Sequence, residues 1–102
     1  MHINQLLDIM LKVDASDLHM KVGTHPLLRV DGNLVPQPDL PRLTPPVMDQ
    51  IIESMTDDEH RAIYKYNLEH DFAYEYEDKA RFRVNIFHQR GTRAAVLRVI
   101  PT

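Results

Sequence analysis

Residues 80–100 read ARFRVNIFHQRGTRAAVLRVI, and this stretch decides the fold. Phe82, Val84 and Ile86 alternate with Arg81, Arg83 and Asn85, the period of two that sends successive side chains to opposite faces of a strand. Phe87 and Gln89 fall on the arginine side. Gln89 to Thr92 is a turn, where Gly91 supplies the positive φ of a tight reversal. Ala94 to Ile100 is apolar except at Arg98, the pattern of a central strand covered on both faces.

The same stretch concentrates charge. It holds Arg81, Arg83, Arg90, Arg93 and Arg98, and no Asp or Glu follows Asp78, although the whole chain carries a net charge of −3. Guanidinium groups make planar, bidentate bonds to phosphate or carboxylate that a lysine does not. In a plain reading the arginines pair across the sheet with Asp71, Glu75 or Glu77, each pair contributing little. In a functional one, a rigid strand projects them toward a phosphate or an acidic partner.

Outward from this hairpin, DFAYEY sets Phe72, Tyr74 and Tyr76 against Asp71, Ala73 and Glu75, which predicts another strand. Glu77-Asp78-Lys79 is the polar turn between them. Thr56-Asp57-Asp58-Glu59 has the T-x-x-E spacing of a capping box, with three acids at the positive end of a helix dipole. That helix is expected to run to about Tyr66 and to pack through Ala62, Ile63 and Tyr66. Thr44 is the expected N-cap of an earlier helix, with Pro45 at its first position. Val47, Met48, Ile51, Ile52 and Met55 are its buried stripe. Pro36, Pro38 and Pro41 mark an extended connection. Asp31-Gly32, between LLRV and NLVP, is the favoured two-residue hairpin turn. In SDLHMKV, Leu18, Met20 and Val22 point inward, while Asp17, His19 and Lys21 point outward. Ile3, Leu6, Leu7, Met10 and Leu11 form the stripe of an amphipathic first helix ending near Val13 to Ala15. The class is therefore α+β: a largely antiparallel sheet with an N-terminal helix and a central helix pair.

A chain of 102 residues is one small domain, 1–102, with no internal repeat or linker. The absence of cysteine excludes disulfides, thiolate zinc sites and thiol catalysis. MHINQLLDIMLKV lacks the basic region and cleavage site of a signal peptide. No apolar run approaches the roughly 18–20 residues that span a bilayer. A pI near 6.0 argues against nucleic acid as a partner.

Little in the chain supports catalysis. It has no G-x-x-x-x-G-K-[ST] loop to cradle phosphates, and neither Ser16 nor Ser54 sits in a nucleophile elbow. The six histidines make no H-x-H, H-x-x-x-H or H-x-x-E-H arrangement. Asp17 and His19 share a strand face, but two ligands fall short of a metal site. They are expected to serve a solvated face or a subunit contact, and no metal is expected. Asp57, Asp58 and Glu59 are helix-start acids. Tyr64, Tyr66, Tyr74 and Tyr76 fill a core rather than stack on bases. Alone, the chain binds or positions and is not expected to be an enzyme.

Several of these residues recur together in one family. ASDLH (15–19), PLLRVDG (26–32), Asp71-Phe72, RFRVN (81–85), QRG (89–91) and VLRVIP (96–101) have an order and spacing that resembles the N-terminal domain of the PilT family. These are the type IV pilus retraction ATPases of the secretion ATPase superfamily. The resemblance spans nearly the whole chain and implies a PAS-like α+β domain. In the family a RecA-like ATPase domain follows, with Walker A, acidic-box, Walker B and His-box motifs. None of these occurs here, so the chain is expected to be an excised N-terminal domain.

The resemblance further implies a homohexamer in which this domain packs against the neighbouring subunit's ATPase domain. It implies ATP and Mg for the full-length protein but no cofactor for this fragment. It also implies a pilus inner-membrane platform protein as partner, and a cytoplasmic location at the inner face of the bacterial membrane. Arg81 and Arg83, in the matching RFRVN, become nucleotide-phosphate contacts, with Arg90 of QRG a further one. Asp31 becomes an interdomain or subunit contact, beside Asp17 and His19. Arg93 matches no arginine of the family, so no role carries over to it. The alternative is a free-standing PAS-like ligand-binding or protein-interaction module.

Overall fold

A computed structural model describes residues 1–101 as α1 (Ile3–Lys12), β1 (Asp17–Lys21), β2 (Leu27–Val30), β3 (Asn33–Pro36), α2 (Pro45–Ser54), α3 (Asp58–Asn67), β4 (Glu69–Tyr76), β5 (Ala80–Gln89) and β6 (Thr92–Ile100). The strands form one sheet in the order β3-β2-β1-β6-β5-β4, with every neighbouring pair antiparallel. This is the α+β architecture the sequence predicts. Two turns dictate much of it. Asp31 and Gly32 both take positive φ between β2 and β3, and Arg90 and Gly91 do the same between β5 and β6. Two-residue reversals of this hand match the right-handed twist of the strands they join.

The helices cover one face of the sheet. Ile3, Leu6, Leu7 and Met10 of α1 and Met48, Ile51 and Ile52 of α2 are buried against Leu18, Met20, Leu28, Phe82, Val84, Ile86, Ala95 and Leu97. Burying side chains of this size contributes about 1.5–3 kcal/mol each, so this layer holds the fold. Polar ties set the angle of α1. The Ile3 N–H donates to Ser54 Oγ at 2.9 Å, Tyr74 donates to Asn4 at 2.7 Å and Tyr76 to Asp8 at 2.5 Å. Its N-cap is His2, whose Nδ1 accepts from the Asn4 N–H while Gln5 accepts from the His2 N–H. Thr44 caps α2 with Pro45 at the first position, as its sequence predicts.

Three expectations need correction. The N-cap of α3 is Asp57, accepting from the His60 N–H at 2.9 Å, and not Thr56. The Thr56 hydroxyl instead donates to the Ile52 carbonyl and accepts from Arg61, closing the end of α2. A carboxylate outcompetes a hydroxyl for the cap because its bond to the backbone is charge-assisted. Second, α3 packs through Tyr64, with His60 half-buried beside it, whereas Ala62, Ile63 and Tyr66 are exposed. Ring contacts decide this: His60 lies 4.5 Å from Phe72, and Tyr64 stacks on His88 at 5.4 Å. Third, β6 is central but covered on one face only. Ala95 and Leu97 are buried under the helices, while Val96 and Ile100 on the other face are half-buried.

Candidate functional site

The uncovered face of the sheet carries the charge. Antiparallel partners share a face, so strand register alone lays out rows across the molecule. One row runs Leu34, Arg29, Asp17, Arg98, Arg83 and Ala73 from edge to edge. A second runs Pro36, Leu27, His19, Val96, Asn85 and Asp71. Beyond the first lies Ile100, Arg81 and Glu75.

Asp17 organises the first row. It is 3% exposed and is the buried charged residue of the described chain. Arg98 Nε donates to its Oδ2 at 3.1 Å, and Arg29 Nε stands 4.0 Å from Oδ1. Burial pushes its carboxyl upward, but Ser16, the Arg98 hydrogen bond and charge, and the Arg29 charge together win and hold it below its usual value. The expectation of a solvated Asp17 is thus corrected: the strand face is open, but the carboxylate is enclosed by two guanidinium groups. His19, two residues on, is half-buried. Burial lowers its pKa, as do Arg29 and Arg98, with Asp17 opposing, so the imidazole is neutral at neutral pH. Asp17 and His19 do not gather a third ligand; among the described residues no group of three His, Cys, Asp or Glu forms.

The five arginines separate into distinct settings. Arg81 sits 3.8 Å from the exposed Glu75, a weak surface pair. Arg83 has no ion-pair partner among the described residues, and directly opposite it on β6 stands Arg98. Asn85, not an arginine, takes Asp71, donating to it at 3.0 Å. Arg90 occupies the β5–β6 turn at φ 53°, seven residues from Arg83, or about 23 Å along an extended strand. Arg93 lies on the helix-covered face, 3.3 Å from Asp49 of α2. Asp31 is exposed at the β2–β3 turn, where Arg29 donates to the Gly32 carbonyl at 2.9 Å. The opposing arginines are the distinctive feature, since like charges directly opposite on a sheet repel. Arg29 was not singled out from the sequence. Its position opposite Asp17 depends on register between β1 and β2, which the LLRV pattern does not specify.

A hollow of about 340 Å³ beside Arg83 is lined by Asp71, Phe72, Ala73 and Ile100. Toward the other end of the face, Leu27, Phe87, Val96 and His19 line a smaller groove of about 190 Å³. The face thus combines one guanidinium group without an ion-pair partner among the described residues, that of Arg83, with partly exposed apolar side chains.

No protein-family model matches the chain. It is 40% identical over all 102 residues to the type IV pilus retraction ATPase PilT of Pseudomonas aeruginosa. It is 39% identical over 77 residues, 76% of the chain, to a twitching motility protein of Neisseria gonorrhoeae, of which it covers 20%. A crystal structure of the pilus retraction motor PilT with bound ADP superposes with a TM-score of 0.91 and 34% identity over the whole chain. By sequence and by fold, the chain matches the N-terminal domain of PilT. It spans 29% of the Pseudomonas PilT and 30% of the crystallised PilT chain. The ATPase DotB of Legionella pneumophila shares the PilT-type fold at a TM-score of 0.79, with 23% identity over 98% of this chain and 28% of its own. Among the described residues, no helix of this PilT-type domain is long and apolar enough to cross a membrane.

Proposed function

We propose that this N-terminal domain of a type IV pilus ATPase works by docking its uncovered sheet face against a RecA-like ATPase domain, with Arg81 and Arg83 reaching the phosphates of ATP bound there. The observation that carries this reading is Arg83: a guanidinium on β5, a strand paired on both sides, with no ion-pair partner among the described residues and placed opposite Arg98. An anion placed between them relieves a repulsion that Asp17, shared between Arg98 and Arg29, offsets only in part. Rigid mounting matters because an electrostatic contribution to phosphoryl transfer depends on donors that need not reorganise. Phe82 and Val84, both fully buried, clamp the strand from behind. The donor set here suits phosphate oxygens; Mg and the phosphate-cradling loop would come from the ATPase domain.

In the assembled protein, a homohexamer, the half-buried Val96, Ile100 and Phe87 lie within an interdomain contact. Asp31 at its exposed turn and His19 on the open face meet the domain's own or a neighbouring subunit's ATPase domain. Asp17 holds Arg98 and Arg29 in place behind that contact. Arg90, at the far end of β5, serves a separate part of the phosphate site or the subunit boundary. The working motor sits in the cytoplasm beneath the inner-membrane platform protein of the pilus.

The test uses the full-length protein. Arg81→Ala and Arg83→Ala are expected to lower ATP turnover by about 100-fold or more, the cost of losing a preorganised electrostatic donor, while the thermal midpoint stays near that of the parent. The isolated domain is expected to hydrolyse no ATP. Unchanged turnover in both variants overturns the assignment of these two residues.

A further inference from the structure

A cleft of about 420 Å³ lies on the other side of the sheet, between α3 and the β5–β6 hairpin. That is within the roughly 300–1,000 Å³ of small-molecule sites. Its apolar wall is Ile52 and Ile86, both buried, with Leu68 half-exposed beside them. Its ionic wall holds three cations, Arg61, Lys65 and Arg93, against one acid, Glu53. This is a cationic recess in a chain whose net charge is −3.

The polar groups here are not equivalent. Arg61 is a strut: it donates to the Thr56 hydroxyl, the carbonyls of Glu53 and Thr56, and the Asp58 carboxylate. Arg93 is held by Asp49 and lies over the Tyr64 ring. Lys65 makes no ion pair among the described residues. His88 hydrogen-bonds the Tyr64 hydroxyl through Nδ1. Burial raises the Tyr64 pKa above its usual value, with Asp49 adding to this and Arg93 opposing. The phenol therefore stays protonated and keeps its bond to the Nδ1 edge of His88, while Nε2 on the other edge of the ring has no hydrogen-bond partner among the described residues. The cleft thus offers an apolar surface, an ammonium with no ion-pair partner among the described residues and the Nε2 edge of an imidazole.

We infer that this cleft binds a small organic anion with an apolar body, the body lying against Ile52, Ile86 and Leu68 and the anionic group meeting Lys65 and His88. The site lies on the opposite sheet face from Arg81 and Arg83 and does not rest on their proposed role. It is also placed to act on structure. Of α3, Tyr64 is the buried residue, so a ligand filling the cleft adds contacts where the helix has few and holds it to β5 and β6.

The chain is titrated with anilinonaphthalene sulfonate and, in parallel, with the uncharged phenylnaphthylamine, following fluorescence and backbone amide shifts by NMR. Saturable binding of one sulfonate is expected, with shifts centred on Ile52, Lys65, Leu68 and Ile86. Lys65→Glu, at an exposed helical position, is expected to weaken the sulfonate about tenfold or more, equivalent to about 1.4 kcal/mol. It should leave phenylnaphthylamine binding unchanged and lower the thermal midpoint only slightly, as an acid in the last turn of α3 opposes the helix dipole, and Lys65→Arg should retain sulfonate binding. Shifts centred on Arg83 and Arg98, binding that does not saturate, or equal affinity in Lys65→Glu would each overturn the proposal.

Discussion

Asp17 shows how one carboxylate governs a surface of opposite sign. With it in place, Arg98 and Arg29 approach the same β1 position from both neighbouring strands. Without it, the row from Arg29 to Arg83 keeps three guanidinium groups and no acid. Asp17→Asn is therefore expected to destabilise the chain by about 1–3 kcal/mol, the cost of leaving a buried charge-assisted network unpaired. The figure sits below that for a fully buried pair because Arg98 is largely exposed. Urea denaturation checks it, and a double-mutant cycle with Arg98→Ala isolates the pairwise part. The same residue sets an acid limit. Its pKa is lower folded than unfolded, so the unfolded state binds the proton first as pH falls. The stabilisation is complete above about pH 4, the ordinary carboxylate value, and disappears as pH drops through the folded value. In Asp17→Asn that portion of the acid sensitivity should vanish; an unchanged acid transition would show that the two arginines do not hold this carboxylate.

At the scale of elements, α3 separates what local sequence dictates from what it does not. Its Asp57 carboxyl is held below its usual value chiefly by the His60 backbone N–H, the signature of a charged cap. Asp57→Ala is expected to lower the thermal midpoint and speed amide exchange in the first turn of α3, while Glu59→Ala leaves both nearly unchanged. The reverse ranking would restore the Thr56–Glu59 capping box. Hairpins and the α2 start were legible because their signals are local: Asp31-Gly32 and Thr44-Pro45 fix φ without reference to the rest of the chain. The face of α3 was not, since Ile63, Tyr64 and Tyr66 point around the helix and Phe72 and His88, distant in sequence, choose among them. The His2 cap was illegible for another reason, because imidazole rarely fills that position. Alternation put Arg81 and Arg83 on one face correctly. The face of Arg93 is set by the β5–β6 register, which pairs it with His88, and that Arg29 and Asp17 complete the row depends on β1 lying between β2 and β6.

At the scale of the whole molecule, the two faces of the sheet do different work. The helix-covered face supplies stability, with Phe82, Val84 and Leu97 fully buried. The open face sets Arg83 opposite Arg98, an arrangement that folding alone does not favour. A residue kept for an absent anion should be dispensable, or worse, for the domain by itself. Arg83→Thr removes the repulsion and inserts a good strand former. In the isolated chain it is expected to be neutral to stabilising, by about 0.2–1 kcal/mol at low ionic strength. The gain should shrink as salt is raised past 0.1 M, where screening acts within about 10 Å. Arg81→Thr gives the contrast: it removes an attractive partner of Glu75, so its small effect should have the opposite sign and fade with salt in the same way. Thermal melts of both variants at low and high NaCl read out the comparison. If Arg83→Thr is destabilising at low salt, Arg83 makes a bond within the domain, and it is no longer free to meet a phosphate outside it.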